Sequence, residues 1–427
     1  MKPVLQLALD FVDLDRALKA AKEAEKSVDW IEAGTPLIKS EGLNSVRKLR
    51  EIFPRHTIVA DLKTMDAGRT EVEAAAKAGA NVVGVCAAAA DETIKECVHA
   101  ARNYGVKVMA DLIGVKEDEI TERAAEMERI GVDYIGVHTA IDEQMKGKQP
   151  FGKLAKVARK VSLPVAAAGG LNSETIADAL KAGATILVVG GAIIKSENAG
   201  KAARDMRRAM ETSTKIKSVL FRRSANVKEL FMKVSTANIS DAMHRTGELR
   251  RIKHVSGKKM AGRATTVRTM PGDWAKPVEA IDAAEEGGVI VIDAAGVGPA
   301  VWGELATQSA LQKKLSGVVV WGAVRDTEDI KKTKLSVYSR RVTPTAGEPR
   351  GLGEINANIT IDGVQIKPGD WIVGDRDGVV VIPQEKAVET ANRAMDVLER
   401  ENRIRKEIKE GSTLSRVTHL LKWEKKT

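Results

Sequence analysis

The sequence predicts an α/β protein in which an N-terminal (β/α)8 barrel is followed by a layered α/β sandwich domain. The chain has 427 residues, a length that suggests two or three domains. Its first half repeats a unit of one short apolar segment and one helical segment, whereas strand-like segments separated by turns dominate its second half. A hydrophobic fraction of 43% is enough for sizeable cores, and because aromatic residues make up only 3%, aliphatic side chains must fill them.

Eight short apolar segments recur through the first half. They do not alternate between apolar and polar residues, which is typical of strands buried on both faces of a parallel sheet. The predicted strands are Val4–Leu9, Trp30–Ile31, Thr57–Ala60, Val82–Val85, Val106–Ala110, Tyr134–Val137, Pro164–Ala168 and Ile186–Val189. The helical segments between them include Leu14–Ala24, Thr70–Ala78, Asp91–Arg102, Glu117–Ile130 and Glu174–Ala182.

The residues that end these strands follow one another at nearly equal intervals. They are Asp10, Glu32, Asp61, Cys86, Asp111, His138, Gly169 and Gly190. Eight such units favour a closed barrel, with an open doubly wound sheet as the alternative. Ionisable side chains end five of the strands, and in a barrel all eight ends meet at the face where active sites form.

The densest cluster of charge is the segment from Asp61 to Asp66. Strand alternation places Asp61 and Lys63 on the same side, while Asp66 opens the next helix. A lysine between two carboxylates stays protonated and can stabilise negative charge that develops on a substrate oxygen. The alternative is a structural ion pair with Asp66 as a helix cap.

Two further strand ends favour metal and proton chemistry. Glu32 and Asp61 lie on neighbouring strands, and their carboxylates could together hold Mg²⁺. His138 would be a neutral base near pH 7. The alternative for His138 is a structural histidine, although its position at a strand end favours catalysis.

Glycine pairs follow the last two strands. Gly169 and Gly170 precede one helix, and Gly190 and Gly191 precede a short apolar turn. Glycines after strands seven and eight of a barrel let backbone N–H groups approach a phosphate, although either pair alone could be a tight turn. The sequence therefore predicts a phosphate-bearing substrate.

Residues 1–212 closely resemble 3-hexulose-6-phosphate synthase, a family of the orotidine-monophosphate-decarboxylase superfamily. The matching motifs are Leu7-Ala8-Leu9-Asp10, Glu32-Ala33-Gly34-Thr35-Pro36-Leu37-Ile38-Lys39, Asp61-Leu62-Lys63-Thr64-Met65-Asp66-Ala67-Gly68, His138-Thr139-Ala140-Ile141-Asp142 and Ala168-Gly169-Gly170. The resemblance implies a reversible, Mg²⁺-dependent aldol reaction between formaldehyde and ribulose 5-phosphate. Relatives that decarboxylate 3-keto-gulonate 6-phosphate usually carry an Arg shortly after the His, where this chain has none.

The same resemblance implies roles for individual residues. Lys63 would stabilise the enediolate, and Asp10 would belong to the catalytic set. His138 is the candidate base with Asp66 assisting, although these two roles could be exchanged. In the superfamily the residue at the position of Asp66 typically enters the neighbouring subunit's site, so we expect the barrel to form a homodimer.

The second half predicts a different domain. We expect a polar, basic linker at 213–227, the domain at 228–410 and a basic tail at 411–427, with a helix over 386–409 packing against this domain. The predicted strands are Arg263–Val267, Val289–Ile292, Gly317–Trp321, Ser336–Tyr338, Asn356–Ile361, Trp371–Val373 and Val379–Ile382.

A second set of candidate site residues lies in this half. Gly303 and Glu304 end a glycine-rich loop, and Arg325-Asp326 follows a predicted strand. Arg can grip a carboxylate with two hydrogen bonds, and Asp can hold a divalent cation beside it, although Arg–Asp neighbours also form simple salt bridges.

Residues 228–385 resemble the family that joins class II 4-hydroxy-4-methyl-2-oxoglutarate aldolases to regulators of ribonuclease activity. The resemblance rests on the spacing from Glu304 to Arg325-Asp326 and on the segment Val234–Ala242. It implies that Arg325 and Gly303 face a 2-oxo acid and that Asp326 and Glu304 serve the metal. The alternative is a non-catalytic module that binds a protein partner such as a ribonuclease.

Composition limits the remaining function classes. The net charge of +10 comes almost entirely from the part after residue 215, in short clusters that read as solvated surface, with an acidic partner or RNA as the alternative. Two cysteines cannot form a disulfide framework, which fits a reducing cytoplasm. We expect no membrane segment, no organic cofactor, and Mg²⁺ as the metal with Mn²⁺ as the alternative ion.

Overall fold

The structure is a computed structural model that describes residues 2–146, 151–218 and 226–418. The chain forms two compact units. One comprises residues 1–144, 148–222 and 399–427, and the other comprises residues 145–147 and 223–398. None of the described helices is long and apolar enough to cross a membrane.

The first unit is a closed barrel of eight parallel strands. β1 pairs in parallel with both β2 and β8, which closes the sheet. The strands are β1 (Val4–Leu9), β2 (Trp30–Ala33), β3 (Thr57–Thr64), β4 (Val82–Cys86), β5 (Lys107–Asp111), β6 (Tyr134–His138), β7 (Val165–Ala168) and β8 (Ile186–Val189). The predicted barrel is confirmed, and the alternative of an open sheet is wrong.

Helices follow the strands around the barrel. They are α1 (Leu14–Ala24), α2 (Thr35–Glu41), α3 (Asn44–Ile52), α4 (Gly68–Lys77), α5 (Asp91–Tyr104), α6 (Ile120–Ile130), α7 (Ile141–Met145), α8 (Phe151–Lys160), α9 (Ile176–Lys181), α10 (Gly191–Ile194) and α11 (Ala199–Thr212). Local sequence sets several of their ends. The Asp13 side chain accepts a hydrogen bond from the Arg16 amide at the start of α1, and Gly105 and Gly131 end α5 and α6 in the left-handed conformation.

The two ends of the barrel differ in chemistry. A buried cluster contains Val4, Trp30, Val82 and Ile186, the first residues of four strands. Apolar side chains therefore fill the amino ends of the strands. The ionisable residues lie at the carboxyl ends, where barrel active sites form.

The second unit contains a mixed sheet in the strand order β19-β18-β10-β11-β13-β14-β9, with β12 and β15 attached to β13 and β10 and a separate β16–β17 hairpin. Its elements are α12 (Val227–Lys233), α13 (Thr236–Ala242), β9 (Lys253–Ser256), β10 (Met260–Thr269), α14 (Ala275–Ala283), β11 (Val289–Asp293), β12 (Ala300–Trp302), α15 (Glu304–Gln312), β13 (Gly317–Val324), α16 (Thr327–Lys331), β14 (Ser336–Val342), β15 (Gly353–Ile355), β16 (Ile359–Ile361), β17 (Val364–Ile366), β18 (Trp371–Gly374), β19 (Val379–Ile382) and the first part of α17 (Ala387–Lys409). The rest of α17, from residue 399, and α18 (Leu414–Val417) belong to the barrel unit.

Successive residues of the central strands point to opposite faces of the sheet, and each face packs in its own hydrophobic core. Ile290 and Ile292 of β11 pack in one cluster with Ala280 of α14. Val289 and Val291 of the same strand pack in another cluster, which includes residues of β16–β19. The predicted layered α/β architecture is confirmed.

The structure corrects one expectation about the second half. Before the linker predicted at 213–227, α11 ends at Thr212, and the linker positions 219–225 lie outside the described residues. The helix predicted over 386–409 spans Ala387–Lys409, but from residue 399 onward the chain belongs to the barrel unit. The amphipathic pattern predicted the helix but not the surface that covers its end. Positions 419–427 of the predicted basic tail lie outside the described residues.

Candidate functional site

Four side chains form one network at the carboxyl ends of β3, β5 and β6. Lys63 Nζ lies 2.6 Å from Asp61 Oδ2 and 3.5 Å from Asp111 Oδ2. The same oxygen of Asp111 lies 3.0 Å from His138 Nδ1. Asp111 therefore links the lysine that the sequence placed in the site to the histidine proposed as the base.

The backbone of β3 departs from regular strand geometry at this network. Lys63 has a φ of +49°, in the left-handed region, and the pairing of β3 with β4 shifts register between Asp61 and Thr64. A non-glycine residue in this region is strained, and such strain is found at functional sites. Behind the carboxylate, Gly84 leaves room for Asp61, because a Cβ there would lie 3.1 Å from Asp61 Oδ1.

Charge shifts the pKa values inside the network. Burial alone would lower the pKa of Lys63, but the negative charges of Asp61 and Asp111 outweigh burial. The net shift of the pKa is upward, so the ammonium group stays protonated. Burial also lowers the pKa of His138, and the contact with Asp111 more than offsets this, so the net shift is upward. The pKa of Asp111 is lowered because His138 and Lys63 stabilise its charge against burial.

Glu32 and Asp10 add buried negative charge beside this network. Burial, followed by the charges of Asp61 and Asp10, raises the pKa of Glu32 well above its usual range. Burial and Asp61 likewise raise the pKa of Asp10. Gly34 makes the close approach of Asp10 possible, because a Cβ there would collide with Asp10 Oδ1.

The residues fit a divalent cation as a partial ligand set. Within the described residues, no group of three or more His, Cys, Asp or Glu side chains could hold a metal by itself. Mg²⁺, however, is often bound by one or two carboxylates together with waters and substrate oxygens. Glu32 and Asp61 supply such a pair. Beside them, Gln6 donates to Glu32 through Nε2, and its buried Oε1 has no hydrogen-bond partner in the described part of the chain.

Asp66 does not take the place expected from the sequence. Its side chain is exposed and accepts a hydrogen bond from the Ala67 amide, and α4 begins at Gly68 with Ala67 as its N-cap residue. The alternative interpretation of Asp66 as a helix cap is therefore wrong. The second carboxylate beside Lys63 is Asp111, because the left-handed turn at Lys63 redirects the chain before Asp66.

The glycine pairs lie directly after the last two strands, as predicted. Gly169 and Gly170 have φ values of +99° and +72°, and a Cβ at Gly169 would lie 2.5 Å from the Thr139 carbonyl oxygen. Gly190 is the N-cap residue of α10, and a Cβ at Gly191 would lie 3.4 Å from Lys195 Nζ. A cation thus lies beside the second pair.

Sequence reasoning did not assign functional roles to several residues of this site. Asp111 was identified as the residue that ends a strand but was given no role, although other ionisable residues that end strands were predicted to be functional. Thr35 donates to Asp61 Oδ2 over 2.7 Å, and Gln6 bonds Glu32. Lys195 could have been found from the sequence, because it is a basic residue only five positions after Gly190, close to the predicted phosphate site.

The second unit brings its four candidate residues together around Gly303. A Cβ at Gly303 would lie 2.6 Å from Asp326 Oδ2, and the Glu304 amide donates to the same oxygen over 3.2 Å. Arg325 Nε lies 3.5 Å from Asp326 Oδ2, and both side chains are about 40% exposed. The Glu304 carboxylate accepts from Gln308 on its own helix over 3.0 Å.

Comparisons with known proteins match each half separately. Residues 3–206 match the family described as orotidine 5'-phosphate decarboxylase / HUMPS, and residues 236–381 match the RraA-like family, described as Aldolase/RraA. The chain is 39% identical over 204 residues to 3-hexulose-6-phosphate synthase of Bacillus subtilis, covering 48% of this chain and 96% of that protein. It is 41% identical over 202 residues to the synthase of Methylomonas aminofaciens, covering 47% and 96%.

A crystal structure of 3-hexulose-6-phosphate synthase covers 48% of this chain and 99% of its own, with 40% identity and a TM-score of 0.47. In sequence, the chain spans 96% of the length of both of these synthases at about 40% identity. Through its barrel the chain therefore belongs to the 3-hexulose-6-phosphate synthase family, whose members are lyases, and its second half is an RraA-like domain.

Proposed function

We propose that the barrel catalyses the reversible, Mg²⁺-dependent aldol condensation of formaldehyde with ribulose 5-phosphate to 3-hexulose 6-phosphate. The network of Asp61, Lys63, Asp111 and His138 carries this proposal, together with the named synthase relatives. It combines a protonated lysine with a histidine held by a carboxylate, at the end of the barrel where active sites form.

Proton transfer falls to His138. With its Nδ1 hydrogen donated to Asp111, a neutral imidazole keeps a lone pair on Nε2 that can accept the C1 proton of ribulose 5-phosphate. The resulting carbanion at C1 forms the new bond to the formaldehyde carbon, whose oxygen becomes an alkoxide and takes up the proton that His138 removed from C1. Lys63 stabilises the negative charge on the substrate oxygens. An exposed Asp66 from a second copy of the chain is the alternative proton carrier.

Glu32 and Asp61 would hold Mg²⁺. The ion would supply positive charge to the neighbouring hydroxyl and carbonyl oxygens of the sugar. Negative charge is crowded here, because burial and then the charge of Asp61 raise the pKa of both Glu32 and Asp10. A bound cation would relieve that repulsion.

The substrate phosphate is assigned to the glycine pairs. Gly169 and Gly170 adopt left-handed backbone, in which successive N–H groups can point to one anion. Lys195 beside Gly191 adds a positive charge on the side of β8. In Thr139–Asp142 the chain lacks the arginine usual in decarboxylases of 3-keto-gulonate 6-phosphate, which favours the synthase.

The test is product formation by the full chain. Formaldehyde and ribulose 5-phosphate are incubated with Mg²⁺, with Mn²⁺ and with a chelator, and 3-hexulose 6-phosphate is measured. Glu32→Gln and Asp61→Asn should each lower the activity sharply and weaken its dependence on Mg²⁺, whereas Asp326→Asn serves as a matched carboxylate control. Release of CO₂ from 3-keto-gulonate 6-phosphate without aldol activity would support the decarboxylase instead.

For the RraA-like domain we propose cleavage of a 2-oxo acid. The observation that favours it is that the partly exposed Arg325–Asp326 pair packs against Gly303, where any larger side chain would collide with Asp326. Arg325 would bind the substrate carboxylate and Asp326 would hold a divalent ion. The Glu304 amide orients Asp326 by donating a hydrogen bond to its Oδ2.

Substitutions at Arg325 and at Asp326 should have different effects on the cleavage reaction. Arg325→Lys keeps the charge but loses the two-point fork, so substrate affinity should fall while metal binding persists. Asp326→Asn should lose metal binding and cleavage. Pyruvate release from oxaloacetate and from 4-hydroxy-4-methyl-2-oxoglutarate is measured with Mg²⁺ or Mn²⁺. If the wild-type chain cleaves neither while it binds and inhibits a ribonuclease, the domain is a regulator and not an aldolase.

A further inference from the structure

We propose that residues Lys215–Ser218 form a strap that positions the glycine loop after β7 for the substrate phosphate. The inference rests on the proposed function, because that function assigns the phosphate to this loop. The strap follows α11, whose last residue is Thr212. It lies beyond residue 206, where the match to the orotidine 5'-phosphate decarboxylase / HUMPS family ends.

The strap and the loop share a pair of reciprocal hydrogen bonds. The Ile216 amide donates to the Ser173 carbonyl oxygen over 3.0 Å, and Ser173 Oγ donates back to the Ile216 carbonyl oxygen over 2.8 Å. The Ser218 amide donates to Glu174 Oε1 over 2.9 Å. Lys215 Nζ lies 2.9 Å from Asp178 Oδ2, but Lys215 is exposed and Asp178 is only half-buried, so this pair contributes little.

The loop itself is stiff, so a constraint at Ser173 reaches the glycines. The amides of Glu174 and Thr175 donate to Asn172 Oδ1, and the Asn172 amide donates to Thr175 Oγ1. The side chains of Asn172, Ser173 and Thr175 are buried. Ser173 is the third residue after Gly170, so a shift of this rigid turn would move the backbone N–H groups that face the phosphate.

The decisive variant is Ile216→Pro, which removes the donated amide hydrogen. Losing one such bond corresponds to about a 3- to 10-fold effect, so the KM for ribulose 5-phosphate should rise by about that factor. The turnover number and the KM for formaldehyde should stay near wild type, since neither depends on the phosphate loop. Amides 171–176 should exchange hydrogen faster. Lys217→Ala, an exposed change in the same segment, is the matched control.

A merely structural strap would behave differently. It would lower the melting temperature and the turnover number together, without a selective change in KM. If Ile216→Pro fails to fold, Ser173→Ala removes the second bond of the pair and should give the same selective rise in KM. A KM within twofold of wild type in the folded variants overturns the proposal.

Failure of the strap and failure of the proposed function are separable. Calorimetric titration of ribulose 5-phosphate into the full chain measures binding without turnover. If the wild-type chain binds the sugar phosphate but makes no hexulose phosphate, the proposed reaction fails, and weaker binding by Ile216→Pro still supports the strap. If the wild-type chain does not bind ribulose 5-phosphate, both proposals are wrong.

Discussion

Lys63 shows how a single residue joins backbone strain to charge. Its φ of +49° costs conformational energy, of the order of 1–3 kcal/mol for residues in sparsely populated regions. The strain is offset by contacts with Asp61 and Asp111, which raise the pKa of the ammonium group and keep it charged. A permanently charged group fixed in position can stabilise an oxyanion without rearranging during the reaction.

Replacing Lys63 by Met tests this role. The side-chain stem remains while the cation is lost, so the turnover number should fall by about 100- to 1,000-fold, as for the loss of one oxyanion-stabilising donor. Hexulose phosphate formation is measured on protein with an unchanged circular dichroism spectrum. Lys77→Met, at an exposed helix position paired with Glu73, is the matched control. Near-normal turnover in a folded Lys63→Met chain would reduce the lysine to a structural role.

Asp111 sets the pH dependence of His138. The carboxylate raises the pKa of the imidazole against the effect of burial, and a base acts in its neutral form, which is populated above its pKa. Asp111→Asn should therefore lower the pKa of His138 and move the acid limb of kcat/KM to lower pH, with a reduced maximum because His138 loses its orienting partner. Asp205→Asn, at an exposed ion pair, is the control. An unmoved acid limb would mean that another group is the base.

At the scale of elements, the barrel was predictable to within a few residues. β1 and β8 have the bounds expected from their apolar segments, because strands buried on both faces carry a dense local signal. α6 begins at Ile120, whereas the sequence predicted a start at Glu117. In the second unit, β12 and β15 have only three residues each and escaped notice, since so short a strand is defined by its partner and not by its own pattern.

The partners of charged residues were harder to predict than the elements that carry them. Spacing placed Asp61 beside Lys63, but the choice of Asp111 over Asp66 depends on the backbone turn at Lys63. The end of α17 shows the same limit. An amphipathic pattern predicts that one face is covered, whereas the surface that covers it depends on contacts hundreds of residues away.

Arg403 of α17 tests how much this end of the helix stabilises the barrel unit. Its buried guanidinium donates to Glu23 and Glu407 and to the Ser196 carbonyl oxygen. Arg403→Met takes away the cation bonded to Glu23, whereas Glu407 keeps Arg16 at 3.2 Å, so the free energy of unfolding of this unit should fall by about 3 kcal/mol, the low end for breaking a buried ion pair. Denaturant unfolding measures the change. Arg405→Met, at an exposed position two residues later, should cost less than about 1 kcal/mol. Equal effects of the two variants would contradict the assignment.

At the scale of the whole molecule, the chain carries two separate sets of candidate site residues. The barrel set runs from Gln6 to Lys195, and the second set runs from Gly303 to Asp326. The matches to known families divide at the same place, with one ending at residue 206 and the other beginning at residue 236. Each half therefore matches a different family and carries its own candidate site residues.

The final prediction is that the two reactions are lost independently. Lys63→Met should lower hexulose phosphate formation by about 100- to 1,000-fold and leave the cleavage of 2-oxo acids at its wild-type rate, because Lys63 and the Arg325–Asp326 pair belong to different units. Asp326→Asn should do the reverse. Both activities are measured on the same preparations of the full chain under identical Mg²⁺ concentrations, with the double variant as a check on additivity. A change of more than about threefold in the untouched activity would show that the halves act as one enzyme, since sites without shared partners are expected to respond additively.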